Sequence, residues 1–319
     1  MDIPRDFGLS GIAWVLTDLG HPEIGGNLLR LAKKHPEFKT RADLFFGISG
    51  YVLACINQWL ETKHAEFLDE AIKGGEHLIR TSQVEPDGSR RWVDHKGQQW
   101  LGYAEGSSGI ALALLRLYQA TGNHVFLSVA EDALRYDYSQ CVVHRGYKGL
   151  LRGVVDSPRF SVSHYWYDGI VGMAQTYAAL FEETRDPEAL QRAISLGADS
   201  FRPFAVFPGM LMGKSGIGNS LLNIWAATGN EEFYDKAFEM ARRTSLYSVD
   251  LGGRMGMVGD QLFRLSNDYG TGAAGVALFL NRLVQREKTD YNFFLGKLDI
   301  DRAKSMTKIA GLTSATTAR

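Results

Sequence analysis

The chain has 319 residues, of which 45% are hydrophobic, and its 35 Lys and Arg against 36 Asp and Glu give a formal net charge of -1. This composition excludes a disordered or collagen-like chain, because it supplies enough apolar surface for a large folded core. The even charge balance argues against nucleic acid as a partner, since such binding needs a strong basic patch.

The sequence also argues against a membrane or secreted protein. No run approaches the ~18 apolar residues of a membrane span, and residues 1–16 lack the pattern of a signal peptide. The two cysteines, Cys55 and Cys141, cannot build a disulfide framework or a Cys-rich zinc site. We therefore expect a cytoplasmic protein without a membrane span.

Six segments of the chain begin with Gly-x-x-Gly and continue as an apolar helical pattern, at intervals of roughly 40 to 60 residues. They start at Gly8, Gly47, Gly106, Gly169, Gly213 and Gly272. After the third, fourth and fifth helices come turns rich in Gly, Asn and Asp, at residues 121–123, 184–186 and 228–230, and then an amphipathic helix. In each predicted hairpin, the apolar first helix should be buried and the amphipathic second helix should lie outside.

Such hairpins must pack side by side, because none can bury its apolar helix alone. An open solenoid and a closed ring both satisfy that need, and we favour the ring. Amide groups at the inner-helix starts would then face a central cavity that suits an anion or an enolate. Tight turns and close helix packing explain the glycines equally well.

Strand-like sequence is sparse, and residues 89–100 and 141–155 predict small hairpins in loops. No linker or shift in composition precedes residue 300, so we predict a single domain over residues 1–300 and a polar, disordered tail over residues 301–319. Residues 270–275 and 209–215 imitate nucleotide-binding loops, but neither follows a buried strand. We predict no nucleotide or other cofactor.

Taken in order, the glycine segments resemble the lanthionine synthetase C-like family. The resemblance covers roughly residues 7–300 and is strongest in residues 103–123, 163–172, 211–230 and 269–283. It implies an all-α fold, an α/α toroid of about six to seven helical hairpins with glycine-rich inner-helix starts. Compared with the full toroid of the family, the first helix pair is expected to be absent.

The metal ligands of the family are missing. Members with zinc carry an Asp four residues before one glycine motif, a His before the next, then Trp-Cys-x-Gly and Cys-His-Gly. Here Asp43 keeps the first position, whereas Glu105 replaces the His, Tyr167 replaces the Cys of Trp-Cys-x-Gly, and Leu211-Met212 replaces Cys-His. We therefore predict no metal, and the pattern is most similar to the cyclase domain of the class III, fused kinase-cyclase enzymes.

The resemblance implies that the protein adds cysteine thiols of a dehydrated precursor peptide to dehydroalanine or dehydrobutyrine, forming lanthionine or labionin thioethers. The partners are then that peptide and kinase and lyase domains or proteins of the same pathway. The expected catalytic residues are Asp43, His164, Tyr167, Asp168 and Glu105, with His164 as the base because its ordinary pKa is near neutrality. The expected substrate-binding residues are Trp166, Met212, Lys214, Asp268 and Tyr269.

Several alternatives are open at this point. Asp43, Glu105 and Asp168 are equally suited to capping helices, and Trp166 to packing in a wall. The protein could be a non-catalytic scaffold that binds the precursor peptide. It could also be a carbohydrate-active α/α barrel, whose carboxylates and sugar-stacking aromatics would be Asp43, Asp94, Glu105 and Asp168 with Trp92, Trp100 and Trp166.

Overall fold

The computed structural model describes residues 8–289, apart from residues 37, 152, 155–161 and 203–204. Eleven α-helices dominate this part of the chain. In chain order they are α1 (Leu9–Asp18), α2 (Pro22–Ala32), α3 (Ile48–Thr62), α4 (Ala65–Thr81), α5 (Ser107–Thr121), α6 (His124–Ser139), α7 (Ile170–Thr184), α8 (Pro187–Ser200), α9 (Lys214–Thr228), α10 (Glu231–Ser245) and α11 (Ala273–Val284). The predicted tail, residues 301–319, lies outside the described residues.

The two helices of a hairpin differ in burial as their sequence patterns predict. Every residue of α7 from Ile170 to Leu180 is buried, because small or apolar side chains occupy all its faces. In contrast, α10 buries a single stripe that includes Phe233, Ala237 and Met240, at the spacing that defines one side of a helix. The glycine-segment helices α3, α7 and α9 are therefore buried on nearly all faces, and amphipathic helices cover them. The prediction is wrong for α1, which buries only Ala13 and Thr17 and leaves its apolar Ile12 and Val15 exposed.

Four hairpins pack their two helices together, in the pairs α1–α2, α3–α4, α7–α8 and α9–α10. Core helices also pack side by side, α1 with α3, α7 with α9, and α9 with α11. The described residues fall into two compact units, one of residues 8–83 and 110–131 and the other of residues 84–109 and 132–289. The single domain predicted over residues 1–300 stays a prediction.

The turns inside the hairpins confirm the predicted turn chemistry. Arg185 and Gly229, at the ends of α7 and α9, adopt left-handed backbone conformations with φ of +60° and +69°. Asp186 and Asn230 then cap α8 and α10, since each side-chain oxygen accepts the amide two residues further on at 3.0 Å.

Short antiparallel strands occupy the loops between hairpins. They are β1 (Gln83–Val84), β2 (Arg90–Arg91), β3 (Gln99–Trp100), β4 (Val142–His144), β5 (Tyr147–Leu151), β6 (Gly153–Val154), β7 (Val162–Ser163), β8 (Ser248–Asp250) and β9 (Met255–Met257). Strand β3 pairs with β6, β5 pairs with both β4 and β7, and β8 pairs with β9. Val142 lies opposite Gly149 and His144 opposite Tyr147, which confirms the hairpin predicted after Cys141.

Among the helices that the structure describes, none combines the length and the apolar character that crossing a bilayer requires.

The second glycine of a Gly-x-x-Gly segment packs against the turn that precedes the helix. A Cβ at Gly216 would collide with the carbonyl oxygen of Met210 and lie 3.1 Å from Cβ of Trp166. Among the described residues, none has an atom within 4 Å of such a Cβ at Gly11, the equivalent residue of the first segment. Close packing thus explains Gly216, and no described residue imposes the same constraint on Gly11.

This difference predicts opposite effects for one substitution in two helices. Gly216→Ala should destabilise the protein by about 1–3 kcal/mol or more, because backbone must move to admit the methyl group. Gly11→Ala should be neutral or stabilising by up to about 1 kcal/mol, because alanine favours a helix over glycine. Urea unfolding followed by circular dichroism measures both, and equal effects would contradict the packing explanation.

Candidate functional site

Four turns that precede core helices are joined into a row by main-chain hydrogen bonds. They are residues 102–105 before α5, 165–168 before α7, 209–212 before α9 and 268–271 before α11, and we call them the turn row. The Ala104 amide donates to the Tyr167 carbonyl at 2.7 Å, and the Tyr167 amide donates to the Leu211 carbonyl at 2.9 Å. The Leu211 amide donates in turn to the Gly270 carbonyl at 3.0 Å. Residues far apart in the sequence are thereby held side by side.

Glycine at the start of a turn allows this close approach. Gly102 has a φ of +88°, and a Cβ there would lie only 2.9 Å from the carbonyl carbon of Asp168. An L-residue would be strained in that conformation and would push the two turns apart.

The turn row brings two of the predicted catalytic side chains into direct contact. The Tyr167 hydroxyl donates a hydrogen bond to Oε1 of Glu105 at 2.8 Å. Tyr167 is 8% exposed, and Glu105 is partly exposed. A phenol bonded to a carboxylate that solvent can reach is able to accept, hold and return a proton.

Two neighbours in the same turn are packed away from solvent. Trp166 is fully enclosed and lies against Tyr103, with ring centroids 4.8 Å apart. The buried carboxylate of Asp168 accepts a hydrogen bond from the Ser163 hydroxyl. These contacts give Trp166 and Asp168 a structural task, and their predicted roles in binding and catalysis stay predictions.

His164 is buried as a neutral imidazole. Its ring stacks on Tyr165 with centroids 4.5 Å apart, and its buried Nε2 atom lacks a hydrogen-bond partner among the described residues. Burial, with the charge of Arg202 as a smaller cause, lowers the pKa of His164 to about 4. The ring is enclosed and difficult for a peptide thiol to reach, so the geometry gives little support to His164 as the base, and that role stays a prediction.

The other predicted substrate-binding residues divide by exposure. Lys214 is buried, and its ammonium group donates to the Val206 carbonyl and lies 3.2 Å from the Tyr247 hydroxyl. Met212 is 37% exposed, Tyr269 is partly exposed and Asp268 is exposed. Met212 and Asp268 are therefore the members of this set that a peptide can reach most easily.

Asp268 also shapes its own turn. It accepts the Thr271 amide at 2.6 Å and the Thr271 hydroxyl at 2.8 Å. Partial burial raises the pKa of Asp268, but hydrogen bonds from Ser266 and Thr271 outweigh it and hold the pKa below its usual range. The carboxylate is thus ionised near neutral pH.

Asp43 holds the same position in the other compact unit, four residues before its glycine. It accepts the Phe46 amide at 2.7 Å and forms an ion pair with Arg41, whose Nε lies 2.6 Å away. Like Asp268, it accepts the amide three residues further on, while Gly47 is the residue that caps α3. Asp43 therefore stabilises the turn before α3, and its predicted part in proton transfer stays a prediction.

Asp137, in α6, is a residue that the sequence reasoning missed. Its fully buried Oδ2 accepts hydrogen bonds from the Gly102 amide at 3.1 Å, the Ser108 amide at 2.8 Å and the Ser108 hydroxyl at 2.6 Å. Burial raises the pKa of Asp137 to about 7, although the hydrogen bonds from Ser108 and Gly102 oppose that rise. One signal was available, because Asp137 falls three and four residues after Leu134 and Ala133 on the apolar face of its helix.

The residues at the zinc-ligand positions of the resemblance do not fit a zinc ion. Tyr167 stands at one of these three positions and donates its hydroxyl to Glu105. Leu211 and Met212 stand at the other two, and none of the three supplies the thiolate or imidazole that zinc prefers. Across the described ranges, no three His, Cys, Asp or Glu side chains converge as a metal site would require.

Asp94 is one of the carboxylates considered for a sugar site, and its hydrogen bonds lie within its own loop. Its Oδ1 accepts the Lys96 amide at 2.8 Å and the Gln98 amide at 2.9 Å, and its Oδ2 lies 3.4 Å from the indole nitrogen of Trp100. These contacts stabilise the loop between β2 and β3.

The chain belongs to the lanthionine synthetase C-like protein family, which it matches over residues 7–295. The expected family is thus confirmed. A curated relative, the probable SapB synthase of Streptomyces coelicolor, is 29% identical over 273 residues, which are 85% of this chain and 28% of the relative. The chain therefore spans a little over a quarter of that relative's length.

Solved structures show the same fold at low sequence identity. Nisin cyclase is 13% identical with a TM-score of 0.65, covering 92% of this chain and 78% of its own. A family 76 glycoside hydrolase of Bacteroides thetaiotaomicron is 12% identical with a TM-score of 0.57, covering 89% of this chain and 69% of its own. The expected fold class, the all-α toroid of helical hairpins, is confirmed. Because the hydrolase has a similar fold, the fold alone does not identify the reaction, and the activity must be inferred from the residues of the site.

The burial of His164 predicts a pH dependence of stability. Its folded pKa of about 4 lies below the ordinary value of 6.5, so the neutral form favours folding. This contribution is complete above pH 6.5 and is lost as the pH falls towards 4. Between pH 7 and pH 5, wild type should lose about 2 kcal/mol more unfolding free energy than His164→Gln.

Urea unfolding at the two pH values measures this difference. The exposed His95 supplies the control, and His95→Gln should follow the wild-type dependence on pH. A wild-type curve parallel to that of His164→Gln would show that His164 is not a buried neutral base.

Proposed function

We propose that the chain is a lanthipeptide cyclase that closes thioether rings without zinc and uses the Glu105–Tyr167 pair for proton transfer. The observation that carries the proposal is the 2.8 Å hydrogen bond between these side chains, because Tyr167 stands where the resemblance places a zinc ligand and Glu105 stands where it places a His. Membership of the family, the similarity to the probable SapB synthase and the fold shared with nisin cyclase support the reaction class.

The reaction requires two proton movements. A cysteine thiol of the peptide loses its proton, the thiolate sulfur forms a bond to Cβ of dehydroalanine or dehydrobutyrine, and the carbon–carbon double bond becomes an enolate. The enolate then takes a proton at Cα. No electron is gained or lost overall, and the proton released in the first step balances the one consumed in the second.

Glu105 and Tyr167 can perform both steps. The Glu105 carboxylate accepts the thiol proton, because it is partly exposed and lies beside the hydroxyl that returns a proton to the enolate. The Tyr167 hydroxyl stabilises the enolate oxygen or passes the proton back to Cα while Glu105 resupplies it. Zinc lowers the pKa of a thiol by binding the thiolate, whereas this pair must take the proton away directly.

The proposal assigns the remaining predicted residues as follows. Met212 and Asp268 contact the peptide, since their side chains are exposed at the turn row. The turns and helix starts are kept in place by Asp43, Asp168, Trp166 and Lys214. Tyr269 is partly exposed and could serve either purpose. The substrate is a dehydrated, Cys-containing precursor peptide, and lanthionine and labionin rings are both consistent with the site.

The class III assignment follows from the missing zinc ligands. In that type of enzyme the cyclase is fused to other catalytic segments, and the probable SapB synthase is much longer than this chain. We propose that this region acts with kinase and lyase activities that dehydrate the peptide. Its two described cysteines are free, which agrees with a reducing, cytoplasmic location.

Substitution at the pair tests the mechanism. Glu105→Gln should lower kcat about 100- to 10,000-fold, and Tyr167→Phe by about 10-fold or more, with peptide binding retained. Cyclisation is measured by mass spectrometry after alkylation of free thiols in a dehydrated Cys-containing peptide, because ring closure alone leaves the mass unchanged.

Tyr234→Phe is the matched control, since the Tyr234 hydroxyl also makes a 3.0 Å hydrogen bond, to the Leu283 carbonyl, away from the turn row. It should cyclise the peptide at the wild-type rate. Peptide binding without any cyclisation by wild type would overturn the proposal and favour a scaffold.

A chelator tests the independence from zinc. Cyclisation by wild type should be unchanged after dialysis against EDTA and a strong zinc chelator, because the residues at the ligand positions do not suit zinc. Loss of activity that added zinc restores would refute the metal-free mechanism.

A further inference from the structure

We propose that Asp137 is the positioning residue of the cyclase site, holding the turn that presents Glu105 to Tyr167. This inference rests on the proposed function for its consequence in turnover. Its structural part can be tested without any activity.

Asp137 binds the backbone on both sides of Glu105 in the sequence. One carboxylate oxygen accepts the amide of Gly102, at the start of the turn, and both the amide and the hydroxyl of Ser108, in the first turn of α5. Glu105 lies between these two anchors in the sequence, so its backbone is tied at both ends to the same side chain in α6.

The anchored turn is the one that meets Tyr167. Ala104, next to Glu105, donates its amide to the Tyr167 carbonyl at 2.7 Å, and Gly102 lies against the backbone of Asp168. A shift of this turn would therefore lengthen the contact between the Glu105 and Tyr167 side chains. The turn before α11 is held differently, since its own exposed Asp268 accepts the Thr271 amide.

Burying the carboxylate of Asp137 costs free energy, so its hydrogen bonds to Gly102 and Ser108, which we call the clamp, need a reason. Asp137 is fully enclosed, and its Oδ1 atom has no hydrogen-bond partner among the described residues. A buried carboxylate with an unsatisfied oxygen is costly, and a neutral side chain in its place would be expected if packing were the sole need. The three donors on Oδ2 supply the reason for an acid, because a carboxylate oxygen can accept all three at once.

The test is a kinetic double-mutant cycle with Asp137→Asn and Glu105→Gln in the full chain. Asp137→Asn keeps the size of the side chain and should lower kcat about 10- to 100-fold with KM changed less than about 3-fold, because catalysis is sensitive to displacements of about 1 Å. In the Glu105→Gln background the same change should have little further effect, since Asp137 acts through Glu105. An equal loss in both backgrounds, or unchanged kcat in the single variant, would overturn the proposal.

Asp132→Asn is the matched control, because Asp132 lies in the same helix but forms ion pairs with Arg90 and Arg135 instead. It should leave kcat unchanged. Ser108→Ala removes one of the three donors without touching the buried acid, and it should lower kcat by a smaller factor if Asp137→Asn does not fold.

Amide hydrogen exchange separates this inference from the proposed function. In Asp137→Asn the amides of Gly102 and Ser108 should exchange faster than in wild type, while the Thr271 amide of the turn before α11 should not change. If wild type does not cyclise peptide, the cyclase proposal fails and this exchange pattern still tests the clamp. Unchanged exchange at Gly102 and Ser108 would refute it whatever the activity.

Discussion

Main-chain hydrogen bonds between successive pre-helix turns are the interaction on which the proposed site depends. The links from Ala104 to Tyr167, from Tyr167 to Leu211 and from Leu211 to Gly270 use backbone groups at the edge of the buried helices. Buried amides and carbonyls must find partners, and here they find them in the neighbouring turn. The side chains of these turns are aligned as a consequence.

Small residues make that arrangement possible. Gly102 allows one turn to lie on the backbone of the next, and Gly216 allows a helix to start directly against its own turn. The same close packing explains why the proposed site is built from turns and helix starts. The loops with strands β1 to β9 lie between hairpins and leave the turn row intact.

The proposed mechanism uses a hydrogen-bonded phenol and carboxylate in place of zinc, which changes how the reaction would be assisted. A metal stabilises the thiolate itself, whereas Glu105 and Tyr167 offer a place for its proton and a donor for the enolate. In that mechanism Glu105 acts as the base because its carboxylate is partly exposed, whereas His164 is buried against Tyr165. In the same mechanism Asp137 holds the turn that carries Glu105, because proton transfer requires donor and acceptor to stay within hydrogen-bond reach.

The sequence by itself determined the hairpin repeat, the buried and covering helices and the turn residues Asp186 and Asn230, because helical periodicity and capping are local properties. It also supplied the family and most of the candidate residues. Only the tertiary structure decided that Glu105 meets Tyr167, 62 positions further along. It also decided that Asp137 accepts the amides of Gly102 and Ser108, on either side of Glu105. The physical reason is that such contacts depend on which turns pack together and on how deeply each side chain is buried. The spacing of residues along one helix predicts neither.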